Sequence, residues 1–170
     1  MRSDCALNII LIGMPGAGKS TIGVILAKRL GYHFVDTDLL IQAREHKRLQ
    51  EIISAQGMAA FKRREEEVLC ELATSHTVIA TGGSAVYSQK AMQHLRRFGN
   101  TVFIDVPLDE LQQRIEDMDS RGLVIDPDED FEHLFTSRRP LYQAYADITI
   151  NGTGMSAEAL AAAIEINACG

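Results

Sequence analysis

The segment with the clearest chemical signature reads GMPGAGKST and fits the pattern G-x-x-x-x-G-K-[ST]. Its glycines permit unusual backbone dihedrals, so main-chain N–H groups can point at phosphate oxygens. Lys19 can contact the β- and γ-phosphates, and the Ser20 hydroxyl can coordinate magnesium. The alternative, a turn that only joins a strand to a helix, leaves the lysine and the serine without a role. We therefore predict that ATP with Mg²⁺ binds here, through Gly13, Gly16, Ala17, Gly18, Lys19, Ser20 and Thr21.

Two carboxylates lie at the end of the next apolar segment, in the sequence FVDTD. Asp36 could hold the magnesium shell, and Asp38 could accept a proton from an attacking hydroxyl. The alternative is that either aspartate caps the N-terminus of a helix. A further segment, residues 81–84 (TGGS), follows another apolar run, and its glycines would let a ligand approach the backbone unless they form a plain turn.

These groups require a scaffold that brings them together, and the hydrophobic pattern predicts one. The run LNIILI before the glycine-rich turn is typical of a central strand in a parallel sheet. Strand and helix patterns then alternate, which predicts one α/β domain over residues 1–170. We predict strands at 7–12, 32–35, 77–80, 101–106 and 147–150, and helices at 19–30, 39–46, 49–55, 58–74, 88–98, 108–118, 131–145 and 157–167.

Composition and charge argue against several other classes of protein. The net charge of −6 is the wrong sign for a broad nucleic-acid interface. The apolar run near the start is too short for a membrane span and has no signal-peptide pattern. Three scattered cysteines without C-x-x-C spacing indicate neither a disulfide framework nor a zinc site. We expect a cytoplasmic protein, and since nothing in the sequence requires a dimer, a monomer.

Motifs along nearly the whole chain are similar to those of the shikimate kinase family, in the same order. They are GMPGAGKST, FVDTD, the segment Phe61 to Glu65, IATGGSAV, Arg114 with Arg121, and RRPLYQAYAD. The resemblance implies a three-layer P-loop domain with a five-stranded parallel sheet flanked by helices, of the nucleoside-monophosphate-kinase type. It also implies a mobile lid at about 119–130 and an acceptor-binding region at about 36–65.

The resemblance also implies roles for individual residues. Asp36 would be the magnesium-associated acid, and Asp38 would bind the acceptor hydroxyl and deprotonate it. Arginine suits planar oxyanion contacts, although any one of the arginines could also be a solvated surface charge. The other implied contacts are Gly82 and Gly83 with the acceptor, Arg114 near adenine, Arg121 with the phosphates and Arg138 with the shikimate carboxylate.

The chain departs from the family pattern around the acceptor. Lys62 stands where a second carboxylate-binding arginine is expected, and lysine lacks the rigid fork for a bidentate contact. Arg63 cannot replace it directly, because each helical step turns the side chain by roughly 100°. Ser84 adds a hydroxyl where a third glycine is expected, and Gly122-Leu123-Val124 follows Arg121 where the family has a proline and two leucines.

Three functions remain open from the sequence. The first is ATP-dependent phosphorylation of a shikimate hydroxyl, with Lys19, Asp38 and Arg121 catalytic. The second is phosphorylation of another small hydroxylated acid, such as a sugar acid or homoserine, motivated by Lys62 and Ser84. The third is a nucleotide-binding regulator that has lost acceptor chemistry. The predicted acceptor contacts are Asp38, Lys62, Gly82, Gly83, Ser84 and Arg138.

Overall fold

Strands and helices alternate along the chain. The computed structural model describes residues 7–118 and 129–169, apart from the side chains of residues 117, 118 and 169. The strands are β1 (Asn8–Ile12), β2 (His33–Asp36), β3 (Thr77–Ala80), β4 (Gly99–Asp105) and β5 (Ile148–Asn151). The helices are α1 (Lys19–Leu30), α2 (Thr37–Glu45), α3 (Leu49–Gln56), α4 (Met58–Glu71), α5 (Gln89–Arg96), α6 (Leu108–Met118), α7 (Phe131–Tyr145) and α8 (Ala157–Cys169), and a short 3-10 helix spans Ala85–Tyr87.

The five strands form one parallel sheet in the order β2-β3-β1-β4-β5. Strand β1 lies at its centre, where Ile9 is aligned with Val78 of β3 and Asn100 of β4. All five residues of β1 are buried, which explains its nearly continuous apolar sequence. Helices flank the sheet, so the predicted α/β architecture is confirmed. Because all strands are parallel, their carboxyl ends share one edge, where ligands bind in such sheets.

A second, smaller core supports the region beside that edge. It joins α2, α3 and α4 and is separate from the main core around the sheet. Its buried members are Ile41, Leu49, Ile52, Ile53, Phe61 and Val68. Among the described helices, none is long and apolar enough to cross a membrane.

Several predicted element boundaries were wrong for identifiable reasons. Helix α2 begins at Thr37 instead of residue 39, because the Asp36 carboxylate caps its first turn. Helix α5 ends at Arg96, since β4 already begins at Gly99. The 3-10 helix was not predicted. Residues 119–128 of the predicted lid lie outside the described residues, and Asp130, at its end, caps α7.

The buried side chain of Asn8 ties the start of β1 to its neighbours. Its Nδ2 donates to the carbonyls of Thr74 (2.8 Å) and Phe98 (3.1 Å), and its Oδ1 accepts from the Thr77 amide (2.9 Å). Asn8 is 1% exposed, so water cannot replace these partners without opening the sheet. The position of β3 relative to β1 depends on this side chain.

We predict that Asn8→Leu lowers the free energy of unfolding by about 2 kcal/mol or more, because it leaves buried polar groups unpaired. Urea unfolding monitored by circular dichroism measures the change. Asn167→Leu is the matched control, because the Asn167 side chain is exposed and bonds only within α8. Equal effects of the two substitutions would contradict the role assigned to Asn8.

Candidate active site

The predicted phosphate-binding loop connects β1 to α1 as expected. Gly16 and Gly18 adopt left-handed φ values of 84° and 88°, which residues with a side chain rarely adopt. The Ala17 amide donates to the Met14 carbonyl at 3.1 Å, which closes the turn. The first turn of α1 follows immediately, so its unpaired N–H groups and positive dipole face the loop. This backbone is suited to bind phosphate.

Lys19 is buried in this loop and is 8% exposed. Its Nζ donates to the carbonyls of Gly13 (2.7 Å) and Met14 (2.9 Å). Burial lowers the pKa of Lys19 to about 8, although the nearby Asp38 carboxylate opposes this shift. A largely buried ammonium that donates to two carbonyls is well placed to bind an incoming anion.

The two carboxylate oxygens of Asp36 have separate partners. Oδ2 accepts a hydrogen bond from Ser20 Oγ at 2.6 Å, so the two predicted metal ligands are adjacent. Oδ1 accepts from the amides of Asp38 (3.0 Å) and Leu39 (3.4 Å) at the start of α2. Helix capping, which the sequence left open as an alternative, is therefore confirmed for Oδ1, while Oδ2 remains directed at the phosphate-binding loop.

Two further carboxylates converge on Gly82, in the turn after β3. A Cβ atom at Gly82 would lie 2.5 Å from Glu65 Oε1 and 2.9 Å from Asp38 Oδ1, so a side chain there would displace these carboxylates. The Gly82 amide donates to Thr37 Oγ1 at 3.2 Å, which fixes the turn to α2. Burial, then the nearby Asp36, raises the pKa of Asp38 to about 6.

Glu65 is the least expected group in the site. It is 2% exposed, and burial raises its pKa to about 7, although a hydrogen bond from Ser84 opposes the shift. Ser84 Oγ donates to Oε2, whereas Oε1 has no hydrogen-bond partner among the described residues. We expected the Ser84 hydroxyl to be directed at an acceptor; instead it lines the cleft while paired with Glu65.

Arg138 enters the cleft from α7 and is 5% exposed. Its neighbour Arg139 forms two hydrogen bonds to the Asp105 carboxylate (3.1 and 2.7 Å), which fix the helix to the end of β4. On the same helix, Tyr142 donates to the Gly83 carbonyl at 2.6 Å. These contacts hold the Arg138 guanidinium against the Gly82-Gly83 turn.

A cleft of about 310 Å³ brings most of the predicted site residues together. The residues that sequence analysis had not assigned to it include Pro15, Leu49, Met58, Phe61, Glu65 and Thr81. Lys62 does not line this cleft; it lines an adjacent cavity of about 180 Å³, beside Tyr87. The predicted residues that line the cleft are Gly16, Gly18, Lys19, Ser20, Thr21, Asp38, Gly82, Gly83, Ser84 and Arg138.

Arg114 lies on the opposite side of the phosphate-binding loop. Its Nη1 donates to the carbonyls of Gly16 (3.3 Å) and Ala17 (3.5 Å), and Nη2 pairs with Glu110 at 2.5 Å. It lines a cavity of about 350 Å³ together with Met155. Its position fits the predicted adenine side. Arg121, the predicted lid arginine, lies outside the described residues.

A local signal could have identified Glu65 from the sequence. It follows Phe61 by four residues, so the two side chains share one face of α4, and Phe61 is a core residue. A carboxylate is rarely buried on an apolar helix face unless it is paired with another group. No comparable signal was available for Tyr87, because its contacts come from distant segments.

Comparisons with known proteins agree with this geometry. The family model for shikimate kinase matches residues 15–167. The chain belongs to the shikimate kinase family. It is 43% identical over 147 residues to a shikimate kinase of Microcystis aeruginosa, covering 85% of this chain and 76% of that protein. It is 38% identical over 147 residues to that of Thiobacillus denitrificans, covering 85% and 80% of the two chains.

A solved structure of this family shows the same fold. The shikimate kinase from Acinetobacter baumannii, in complex with shikimate, matches with a TM-score of 0.86 and 32% identity over 95% of this chain and 93% of that one. Membership of this family identifies the chain as an ATP-dependent kinase. The predicted P-loop kinase fold is confirmed.

We predict that Glu65→Gln stabilises the protein at pH 8 but not at pH 4.5. The folded-state pKa is raised from 4.5 to about 7, so the folded state loses stability as pH rises through this interval. Replacing the ionisable group should recover on the order of 2 kcal/mol at pH 8. Urea unfolding at the two pH values measures it. Glu67→Gln, on the exposed side of α4, is the control, and an equal gain there would contradict the interpretation.

Proposed function

We propose that this chain transfers the terminal phosphoryl group of ATP to a hydroxyl of shikimate. The observation that supports this best is the shared cleft. Lys19, from the phosphate-binding loop, lines the same 310 Å³ cavity as Asp38, Glu65 and Arg138. Phosphate and a small hydroxylated acid could therefore meet in one cleft, as in-line transfer requires.

In this proposal the chain acts by positioning and by electrostatics. Asp38, with a pKa of about 6, is ionised at neutral pH and can accept the acceptor's hydroxyl proton. Lys19 exchanges its carbonyl partners for phosphate oxygens and offsets their charge during transfer. Arg138 offers a planar fork to the shikimate carboxylate, and the Gly82-Gly83 backbone lies beside the ring.

Ser20 and Asp36 fit a magnesium ion. Both offer oxygen atoms, 2.6 Å apart at the mouth of the loop. Among the described residues, no group of three or more acidic, histidine or cysteine side chains is arranged to hold a metal ion. Magnesium in phosphotransfer sites is commonly held by one or two carboxylates together with phosphate and water. Bound Mg²⁺ would offset charge on the phosphates.

The position of Lys62 favours one alternative enough to test it. Since Lys62 lies outside the main cleft, Arg138 is the described cation that lines its acceptor end, and an acid other than shikimate could use it. The regulator hypothesis has less support, because Asp38 and Glu65 both converge on the acceptor turn. The phosphate role of Arg121, the lid, a monomeric state, a cytoplasmic location and the lack of nucleic-acid binding stay predictions.

We expect ADP release from MgATP to be stimulated strongly by shikimate and weakly by homoserine or gluconate, relative to a reaction without acceptor. A coupled assay that compares kcat/KM values measures this. Turnover with another acid and none with shikimate would mean that the pocket serves a different acceptor. ATP binding with no acceptor-dependent turnover would support the regulator.

Two substitutions test the assigned roles within that assay. Lys19→Ala should abolish phosphoryl transfer, whereas Lys28→Ala, on the exposed side of α1, should not. Asp38→Asn should reduce kcat by about 100-fold or more while the KM for ATP changes little. Normal turnover by Asp38→Asn would refute its role as base.

We predict that Asp36→Asn separates metal binding from helix capping. Asparagine caps helices about as well as aspartate, so the thermal unfolding midpoint should barely change. The loss of charge should raise the Mg²⁺ concentration for half-maximal activity by about tenfold or more. Asp36→Ala is the matched comparison, since it removes both functions and should also destabilise the protein by about 1 kcal/mol. An unchanged Mg²⁺ dependence would exclude Asp36 from the metal site.

A further inference from the structure

Tyr87 contacts two cations from two different helices. Lys62 Nζ, on α4, lies 4.4 Å from the centroid of its ring. The guanidinium carbon of Arg138, on α7, lies 5.2 Å from the same centroid, and Arg138 Nε donates to the Tyr87 hydroxyl at 3.2 Å. The negative face of an aromatic ring attracts cations, and the phenolic oxygen can accept a hydrogen bond.

The ring is held close to the acceptor turn. Tyr87 ends the 3-10 helix, and its amide donates to the Ser84 carbonyl at 3.0 Å. Ser84 is fixed in turn by its bond to Glu65. Tyr87 is 40% exposed, so burial in a core does not account for its position. The contacts of Tyr87 with the two cations and with the turn account for its position.

A lysine at position 62 has particular need of such a contact. Its stem is flexible, and holding one ammonium position costs rotamer entropy that an arginine fork recovers through two parallel bonds. A cation lying on a ring is restricted without losing its charge or its other donors. The bond from Arg138 uses Nε, so the Tyr87 hydroxyl does not occupy the terminal nitrogens.

We propose that Tyr87 is a specificity-determining positioning residue, which holds Lys62 and Arg138 around the carboxylate end of the acceptor. This inference rests on the proposed function for the identity of the acid. Lys62 lines the cavity next to the main cleft, and Glu65 and Ser84 line both. The ring therefore places the Lys62 charge beside the wall of the cleft, where it adds to that of Arg138. Tyr87 itself takes no part in phosphoryl transfer.

Steady-state kinetics of three variants test the proposal. Tyr87→Leu should raise the KM for shikimate about tenfold, because both cations lose their contact, while kcat and the KM for ATP stay within about twofold. Tyr87→Phe keeps the ring but loses the hydroxyl, so the KM for shikimate should rise about threefold. Tyr32→Leu, at the opposite end of the sheet, is the matched control and should leave kcat and both KM values unchanged. An unchanged KM for shikimate in Tyr87→Leu would overturn the proposal.

Coupling between positions 62 and 87 separates positioning from general packing. In a Lys62→Gln background, Tyr87→Leu should raise the KM for shikimate by less than it does in the wild-type protein, since one of its two targets is already gone. Full additivity would overturn the role of Tyr87 in placing Lys62.

An acceptor-independent measurement keeps the inference separate from the proposed function. In the free protein, the Lys62 Cε–Hε signal, identified by its loss in Lys62→Gln, should show a ring-current shift that Tyr87→Phe retains and Tyr87→Leu removes. With only five lysines in the chain, the signals are resolvable. A wild-type protein that ignores shikimate but shows this shift would overturn the proposed function and support the positioning. A Lys62 signal unaffected by Tyr87→Leu would overturn the positioning whatever the acceptor.

Discussion

The parallel alignment of β1 with β3 is the constraint on which the site depends. The amide and the hydroxyl of Thr81 both donate to the Leu11 carbonyl, so the chain leaving β3 is fixed to the chain entering the phosphate-binding loop. A shift of one residue in this register would move Gly82 away from the phosphate-binding loop that follows β1 and turn alternate side chains to the other face. Local motifs supply the chemical groups, and the register determines that they meet.

Once these groups meet, their charges control one another. Lys19, Asp38 and Glu65 all lie in a cleft where burial disfavours the charged form, and each has a pKa displaced toward neutrality. The lysine stabilises the carboxylates, while the carboxylates raise the pKa of the lysine. Such displaced values are common where proton transfer or binding of charged ligands takes place. Burying these groups therefore destabilises the free protein, and a bound ligand of opposite charge would offset this cost.

Sequence alone predicted the elements and the position of the glycine-rich loop between β1 and α1 well, because both depend on local pattern. The loop from Gly13 to Ser20 needs only its own backbone and the helix that follows. The contacts around the Gly82-Gly83 turn could not be predicted, because they join distant segments. Ser84 pairs with Glu65, 19 residues away, and Lys62 lies on the ring of Tyr87. Both contacts depend on the packing of α4 against the turn after β3. The early start of α2 was missed because capping by Asp36 was an alternative to a contact near the loop in the sequence, whereas its two oxygens make both contacts.

Under the proposed function, the divided carboxylate of Asp36 would link the two substrates in a way that limits how the protein can be changed. One oxygen lies beside Ser20, and the other anchors the turn that carries Asp38. A substitution of Asp36 that removes the proposed metal contact and cannot cap a helix would therefore also displace Asp38, because both depend on one rigid three-atom group. An engineer who wishes to change the metal contact without moving Asp38 would have to keep a capping residue such as asparagine at position 36 or first give α2 another cap.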